Sequence, residues 1–341
     1  MKKNLVIINN EKCTKKEGNF FCENIEVSSI NEILGKKFNI KLILRKSIIN
    51  PVHKINNKNV VISSNIFLFI KNVVNSALRD NARYLIISVT PYTFISFLFL
   101  FLFRRKIFLY LRSDGQKEIA VIFGKTISII YKVAENLMVK FCNLIVVNNL
   151  IAKKKFFNLV NPSQIDEDWF ESTKKSERKQ IRLLYVGRLK IEKGVNSLID
   201  IFSKIKFIEK EVFLTLVGQG NIQKDTNEKI RFIEPTSIKK DLIKHYDEND
   251  IFILPSYTEG QPQVLIESLI RQRPVIVFRD IEHVAQDYEG VFVIDRNPKD
   301  LLDIIKFIDK NYNQILEKMK KNKYPTKKIF LNQLDVILNQ S

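Results

Sequence analysis

Apolar and polar positions along the chain fall into a repeating pattern: short apolar runs of strand length, each followed by a stretch with helical spacing. In the first half, residues 5–8, 40–44, 60–62, 84–89, 107–111 and 144–147 read as buried strands. Residues 66–78, 91–103 and 117–141 read as helices. Thr90-Pro91 divides the most apolar stretch, because a residue before proline avoids the helical region. Residues 158–180 are rich in Asn, Pro, Ser, Asp, Glu and Lys and lack apolar periodicity. The alternation then resumes, with strands expected at 181–186, 213–217, 230–233, 251–254, 275–278 and 291–294. Helices are expected from 195, over 237–246, from 262 and over 298–309. Strand–helix alternation on both sides of a polar break predicts two α/β domains, each with a parallel sheet.

One stretch, 251–274, carries more information than the rest. The apolar strand 251–254 stops at Pro255-Ser256, a polar turn runs from Tyr257 to Gln261, and Pro262 opens a helix. Ligands of open α/β sheets bind outside the carboxyl ends of strands, and helix starts favour anions. Glu259 lies in this turn and Glu267 on the helix after it. A carboxylate ahead of a helix is also an ordinary dipole-favouring residue, so Glu259 alone decides nothing. A second loop has the same architecture. After strand 181–186 come Gly187, Arg188, Leu189, three more residues, Lys193 and Gly194, and then a helix. Arg188 offers paired donors to phosphate oxygens, and Lys193 offers a point charge.

Together these two stretches resemble the signatures of retaining glycosyltransferase family 4, the glycosyl transferases group 1, whose fold is GT-B. The resemblance implies an α/β chain of two Rossmann-like domains facing each other across a cleft. It places an acceptor-side domain at 1–160, a linker at 161–180 and a nucleotide-sugar donor domain at 181–317. A C-terminal helix at about 318–341 is expected to pack back on the first domain. In the family, Gly187, Arg188 and Lys193 would hold the donor diphosphate. Glu267 would bind the ribose hydroxyls and Glu259 would face the transferred sugar. The amides of Gly260, Gln261, Pro262, Gln263 and Val264 line the same loop, and Phe232 stands where the nucleobase is held. Glu259, Arg188 and Lys193 are thus the expected catalytic set. The resemblance implies no metal and no cofactor beyond the donor itself. The first half matches only in architecture. Its candidate acceptor-side residues are Arg112 and Asp114, in a turn where the family often has a histidine, and Gly18, in a loop expected over 9–18. At Gln272 the family usually has glycine, a departure expected to affect packing more than chemistry.

Composition narrows the partners. The chain of 341 residues has a net charge of +19, which favours an anionic partner. A phosphorylated donor, an anionic membrane face and nucleic acid all fit that balance, although no nucleic-acid-binding motif is present. The aromatic run 97–103, followed by Arg104, Arg105 and Lys106, fits either a core helix with a solvated basic end or a helix lying against a bilayer. Three cysteines and three histidines, in no metal-ligand or disulfide spacing, point to a reducing compartment and to no metal centre. The sequence thus predicts a retaining transferase of polysaccharide synthesis, cytoplasmic or at the inner face of the membrane, with a glycan or lipid-linked acceptor. An epimerase or hydrolase of the same fold is the alternative, and a basic nucleic-acid-binding protein a further one.

Overall fold

The computed structural model describes residues 2–47, 53–170, 179–206, 209–220, 227–236 and 238–340. They form two compact units, 1–164 with 326–341, and 165–325.

In the first unit the apolar runs become a parallel sheet. Its strands are β1 (Lys3–Lys16), β2 (Asn19–Cys22), β3 (Phe38–Lys46), β4 (His53–Ile55), β5 (Val60–Ser63), β6 (Ala82–Ile87), β7 (Ile107–Leu111), β8 (Asn143–Val146) and β9 (Asn158–Leu159). The parallel order is β5-β3-β1-β6-β7-β8-β9, and β2 runs antiparallel between the far end of β1 and β4. Helices α1 (Ile25–Leu34), α2 (Ile66–Arg79), α3 (Pro91–Leu102), α4 (Gly115–Phe123) and α5 (Lys125–Phe141) fill the connections. Three expectations are corrected here. The loop expected over 9–18 is strand: β1 continues to Lys16 past a bulge between Ile8 and Lys12 and turns at Glu17-Gly18. Asn9 pairs with β6, Lys12 with β3, and residues 13–16 with β2, where Cys13 lies opposite Cys22. The single helix expected over 117–141 is two, because Gly124 takes φ 85° and breaks it. The strands β2, β4 and β9 were not expected from the sequence; β4 and β9 have only three and two residues.

The second unit is a six-stranded, wholly parallel sheet: β10 (Ile181–Val186), β11 (Val212–Val217), β12 (Ile230–Ile233), β13 (Ile251–Leu254), β14 (Val275–Phe278) and β15 (Val291–Ile294). The helices are α6 (Val195–Ser203), α7 (Lys239–Asp247), α8 (Gln263–Ile270) and α9 (Pro298–Met319). Strand order is β12-β11-β10-β13-β14-β15, so the winding reverses between β10 and β13. Helix α9 runs well past its expected end at Asp309, since Tyr312, Ile315, Leu316 and Met319 continue its buried face. The segment 161–180 divides: Ile165 and Trp169 are buried in this unit's core, and residues 171–178 lie outside the described residues. The final helix, α10 (Lys327–Asn339), buries Phe330, Leu331 and Leu334 in the core of the first unit. Among the described residues no helix is long and apolar enough to cross a membrane.

Candidate functional site

Both loops singled out in the sequence leave the carboxyl ends of β10 and β13, the two strands that flank the reversal of winding. That is where an open α/β sheet leaves a crevice for a ligand. Backbone packing ties the loops together. The Tyr257 N–H donates to the Glu192 carbonyl at 3.0 Å. Gly194, with φ 67°, passes so close to Pro255 that an added Cβ would stand 2.0 Å from its carbonyl oxygen. Glycine is needed there on both counts. The next strand-end loop is packed as tightly, since a Cβ on Gly218 would lie 1.9 Å from the Gly187 carbonyl oxygen.

This packing brings the two motifs into direct contact. Lys193 Nζ donates to Glu259 Oε1 at 2.7 Å, and Ser256 Oγ donates to the same oxygen at 2.7 Å. The side chains of Lys193 and Glu259 are 19% and 12% exposed, enough shielding from water to strengthen the pair. Arg188 differs: its guanidinium is 59% exposed and stands 3.8 Å from Glu192 on the next turn. Its carbonyl is fixed by the Tyr185 hydroxyl at 2.8 Å. Neither α6 nor α8 has a side-chain cap at its start, so both present main-chain N–H dipoles at this edge. Pro262 is the residue just ahead of α8 rather than its first helical residue.

Glu267 sits one layer deeper. It is buried on α8 and accepts a hydrogen bond from the Tyr246 hydroxyl at 2.8 Å. Burial pushes its carboxyl up to about 7, with the tyrosine bond opposing only in part. Trp169 packs edge-on against Tyr246, and its carbonyl accepts from the buried Arg271, which also pairs with Asp247. Phe232 is half-buried at the carboxyl end of β12, beside β11. Gln261 places its side-chain oxygen in a buried position where, among the described residues, none bonds to it.

Three neighbours had no signal in the sequence motifs. His283, in the short helical segment after β14, donates from Nε2 to the Glu259 carbonyl at 3.1 Å, the role fixed by the carbonyl being an acceptor. Arg296, after β15, donates to the Pro255 carbonyl at 3.0 Å and lies over the Tyr257 ring. Tyr246 has been met above. Position just past a strand end was the signal available for His283 and Arg296.

The remaining candidates belong to the first unit. Arg112 donates to Glu26 at 3.1 Å. Asp114 caps α4 by accepting from the Lys117 N–H. Gly18, with φ 78°, forms the hairpin turn between β1 and β2, with open space around it. The turn explains that glycine fully. Among the described residues no group of three or more His, Cys, Asp or Glu side chains is placed to hold a metal ion.

The family model described as glycosyl transferases group 1 matches residues 166–326. A Bacillus subtilis glycosyltransferase named for teichuronic acid biosynthesis, TuaC, is 34% identical over 113 residues, covering 31% of this chain and 28% of that protein. The N,N'-diacetylbacillosaminyl-diphospho-undecaprenol alpha-1,3-N-acetylgalactosaminyltransferase of Campylobacter jejuni is 26% identical over 163 residues, 46% of this chain and 42% of that protein. The matched stretches are thus less than half of each relative's length. Among solved structures, Anabaena HepE in complex with UDP and glucose superposes with a TM-score of 0.69, covering 98% of this chain and 99% of that one. At 14% identity, that likeness carries the fold alone. The chain therefore has the GT-B fold, and its residues 166–326 match the family model of the glycosyl transferases group 1.

Proposed function

We propose that this protein transfers a sugar, with retention at the anomeric carbon, from a nucleotide-sugar donor to a glycan or lipid-linked glycan during bacterial surface polysaccharide synthesis. The observation that carries this reading is the Lys193–Glu259 pair at the reversal point of the second sheet, which joins the two family motifs in one site. Arg188, Lys193 and the starts of α6 and α8 supply positive potential for a diphosphate. They stabilise the charge that grows on the departing nucleotide, so the reading requires no metal ion. Glu259, held by Lys193 and Ser256, orients the sugar and stabilises positive charge on its ring. Glu267 holds the ribose hydroxyls. The bond from the anomeric carbon to the phosphate oxygen breaks, the acceptor oxygen bonds on the same face, and its proton passes to the departing phosphate. The names of the relatives support a polysaccharide acceptor, and the Campylobacter one supports a lipid-diphosphate carrier.

The test is calorimetric binding of UDP and GDP to the wild type and to Arg188→Ala, followed by a nucleotide-sugar screen with product stereochemistry read by NMR. Tight binding of one nucleotide, weakened by the substitution, and an axial or equatorial product matching its donor are expected. Binding of neither nucleotide, or an inverted product, refutes the proposal. Release of free sugar with no transfer to any glycan favours a hydrolase of the same fold.

A further inference from the structure

Helix α5 exposes an unusually apolar outer face. Its inward face buries Met138 and Val139 but also Ser128, which donates to the Gln116 carbonyl at 3.0 Å, and Glu135, fully buried and paired with Lys153. Its outward face carries Ile127, Ile130, Val133, Leu137 and Phe141, all exposed. Ile130 and Val133 are 67% and 66% exposed. A helix on a soluble surface normally shows the reverse arrangement. The stripe does not end with α5. Val121, Ile122 and Phe123 are exposed at the end of α4, and Phe141 packs against Phe101 of α3 with ring centroids 4.7 Å apart and the rings tilted by 51°. Leu98 and Leu102 of α3 are exposed as well. An apolar surface continuous over three helices marks an interaction site rather than scattered surface residues.

The charges around it select the occupant. Lys117, Lys125, Lys132 and Lys140 are exposed on α4 and α5. At about 100° per residue, Lys125, Lys132 and Lys140 run along one edge of the apolar stripe of α5. The two acidic residues of these helices are turned away: Glu135 is buried, and Glu118 is half-buried and accepts from Ser113 at 3.2 Å. An apolar face edged by lysines matches a bilayer surface containing anionic lipid. A second copy of a chain of net charge +19 would bring like charges together on the same face.

We infer that the α4–α5 face, extended by the end of α3, docks this protein on an anionic membrane, with the apolar stripe entering the headgroup boundary and the lysines facing lipid phosphates. This gives the proposed lipid-linked acceptor a surface on which to be met, but the docking is independent of the donor site. The contact differs from the one offered by the aromatic run of α3 alone. Phe97 is buried there, and Arg105 and Lys106 donate to the carbonyls of Ala77 and Gln340.

The experiment is flotation of the full chain with phosphatidylcholine vesicles, with and without phosphatidylglycerol, alongside UDP and GDP binding to the same preparations. Wild type should float with the anionic vesicles and be released by salt. Ile130→Glu with Val133→Glu should reduce flotation at least about tenfold. Replacing Lys125, Lys132 and Lys140 by Gln should reduce it about fivefold per lysine at low salt and leave neutral-vesicle binding unchanged. All these positions are exposed, so circular dichroism and nucleotide binding should be unaltered. A wild type that binds nucleotide and does not float overturns the docking and leaves the transferase reading standing. Undiminished flotation of the Glu variant overturns it too. A dimer dissociated by that variant, with no flotation, replaces the membrane by a second copy.

Discussion

Glu267 offers a sharp test of the donor site, because its proton should be visible in two measurements at once. Its carboxyl is buried on α8 with one hydroxyl donor, and its pKa rises from 4.5 to about 7. The sign follows directly. Between those values the folded chain holds a proton that the unfolded chain has released. The stability contributed by this group is therefore fully present below 4.5 and is lost as pH rises through about 7. The whole difference corresponds to about 3 kcal/mol. Ligand binding has the opposite sense. Ribose hydroxyls donating to Glu267 require the carboxylate, so nucleotide affinity should rise about tenfold per pH unit below about 7 and level off above it. Glu267→Gln removes both effects: it should flatten the affinity profile and stabilise the unliganded protein at high pH by up to about 3 kcal/mol. The assay is calorimetric nucleotide titration at a series of pH values, with urea unfolding of both proteins at each. A wild-type affinity independent of pH across that window, or the same slope in Glu267→Gln, refutes the reasoning.

Arg188→Ala, at an exposed side chain, should change stability by no more than about 0.5 kcal/mol while lowering kcat/KM by about 100-fold, as urea unfolding and initial rates would show. Lys193→Met should do more, because it also leaves Glu259 without its ammonium; adding Glu259→Gln should recover stability but not turnover, measured as a double-mutant cycle. Gly194→Ala should cost at least about 2 kcal/mol and abolish nucleotide binding, since the added Cβ meets the Pro255 carbonyl at a positive φ. Gln272 adopts φ 57° after the end of α8, so Gln272→Gly should raise the unfolding free energy by about 1 kcal/mol with kcat unchanged.

Much of the second unit was legible because its local signals agree with its tertiary role. Strands β10, β12, β13, β14 and β15 fall where short apolar runs predicted them, and their loops carry residues that only a strand-end ligand site would combine. Apolar strands such as β13 and β14, buried on both faces, leave little ambiguity of this kind. Gln272 is an instructive case: the departure from the family's glycine falls at a positive-φ position, where its consequence is backbone strain rather than the packing effect expected from the sequence. The first unit was less legible. Residues 9–16 look like a polar loop, yet they form strand because β6, β3 and, over 13–16, antiparallel β2 supply partners, and pairing between segments is not written in either one alone. The split of the long helix at Gly124 was missed because apolar content continues across it.

By itself the sequence determined the alternation of strands and helices, the basic charge, and the pairing of a Gly-Arg…Lys-Gly loop with a two-glutamate turn. Each depends on residue types within one local window. Only the tertiary structure decided which charges meet. It put Lys193 on Glu259, gave Glu267 a tyrosine and a buried carboxyl, and brought His283 to the Glu259 carbonyl. It also turned the apolar side of α5 outward. Those outcomes depend on distances and dielectric surroundings set by strand order, and residues 66 or 24 positions apart acquire them only when the sheet has formed.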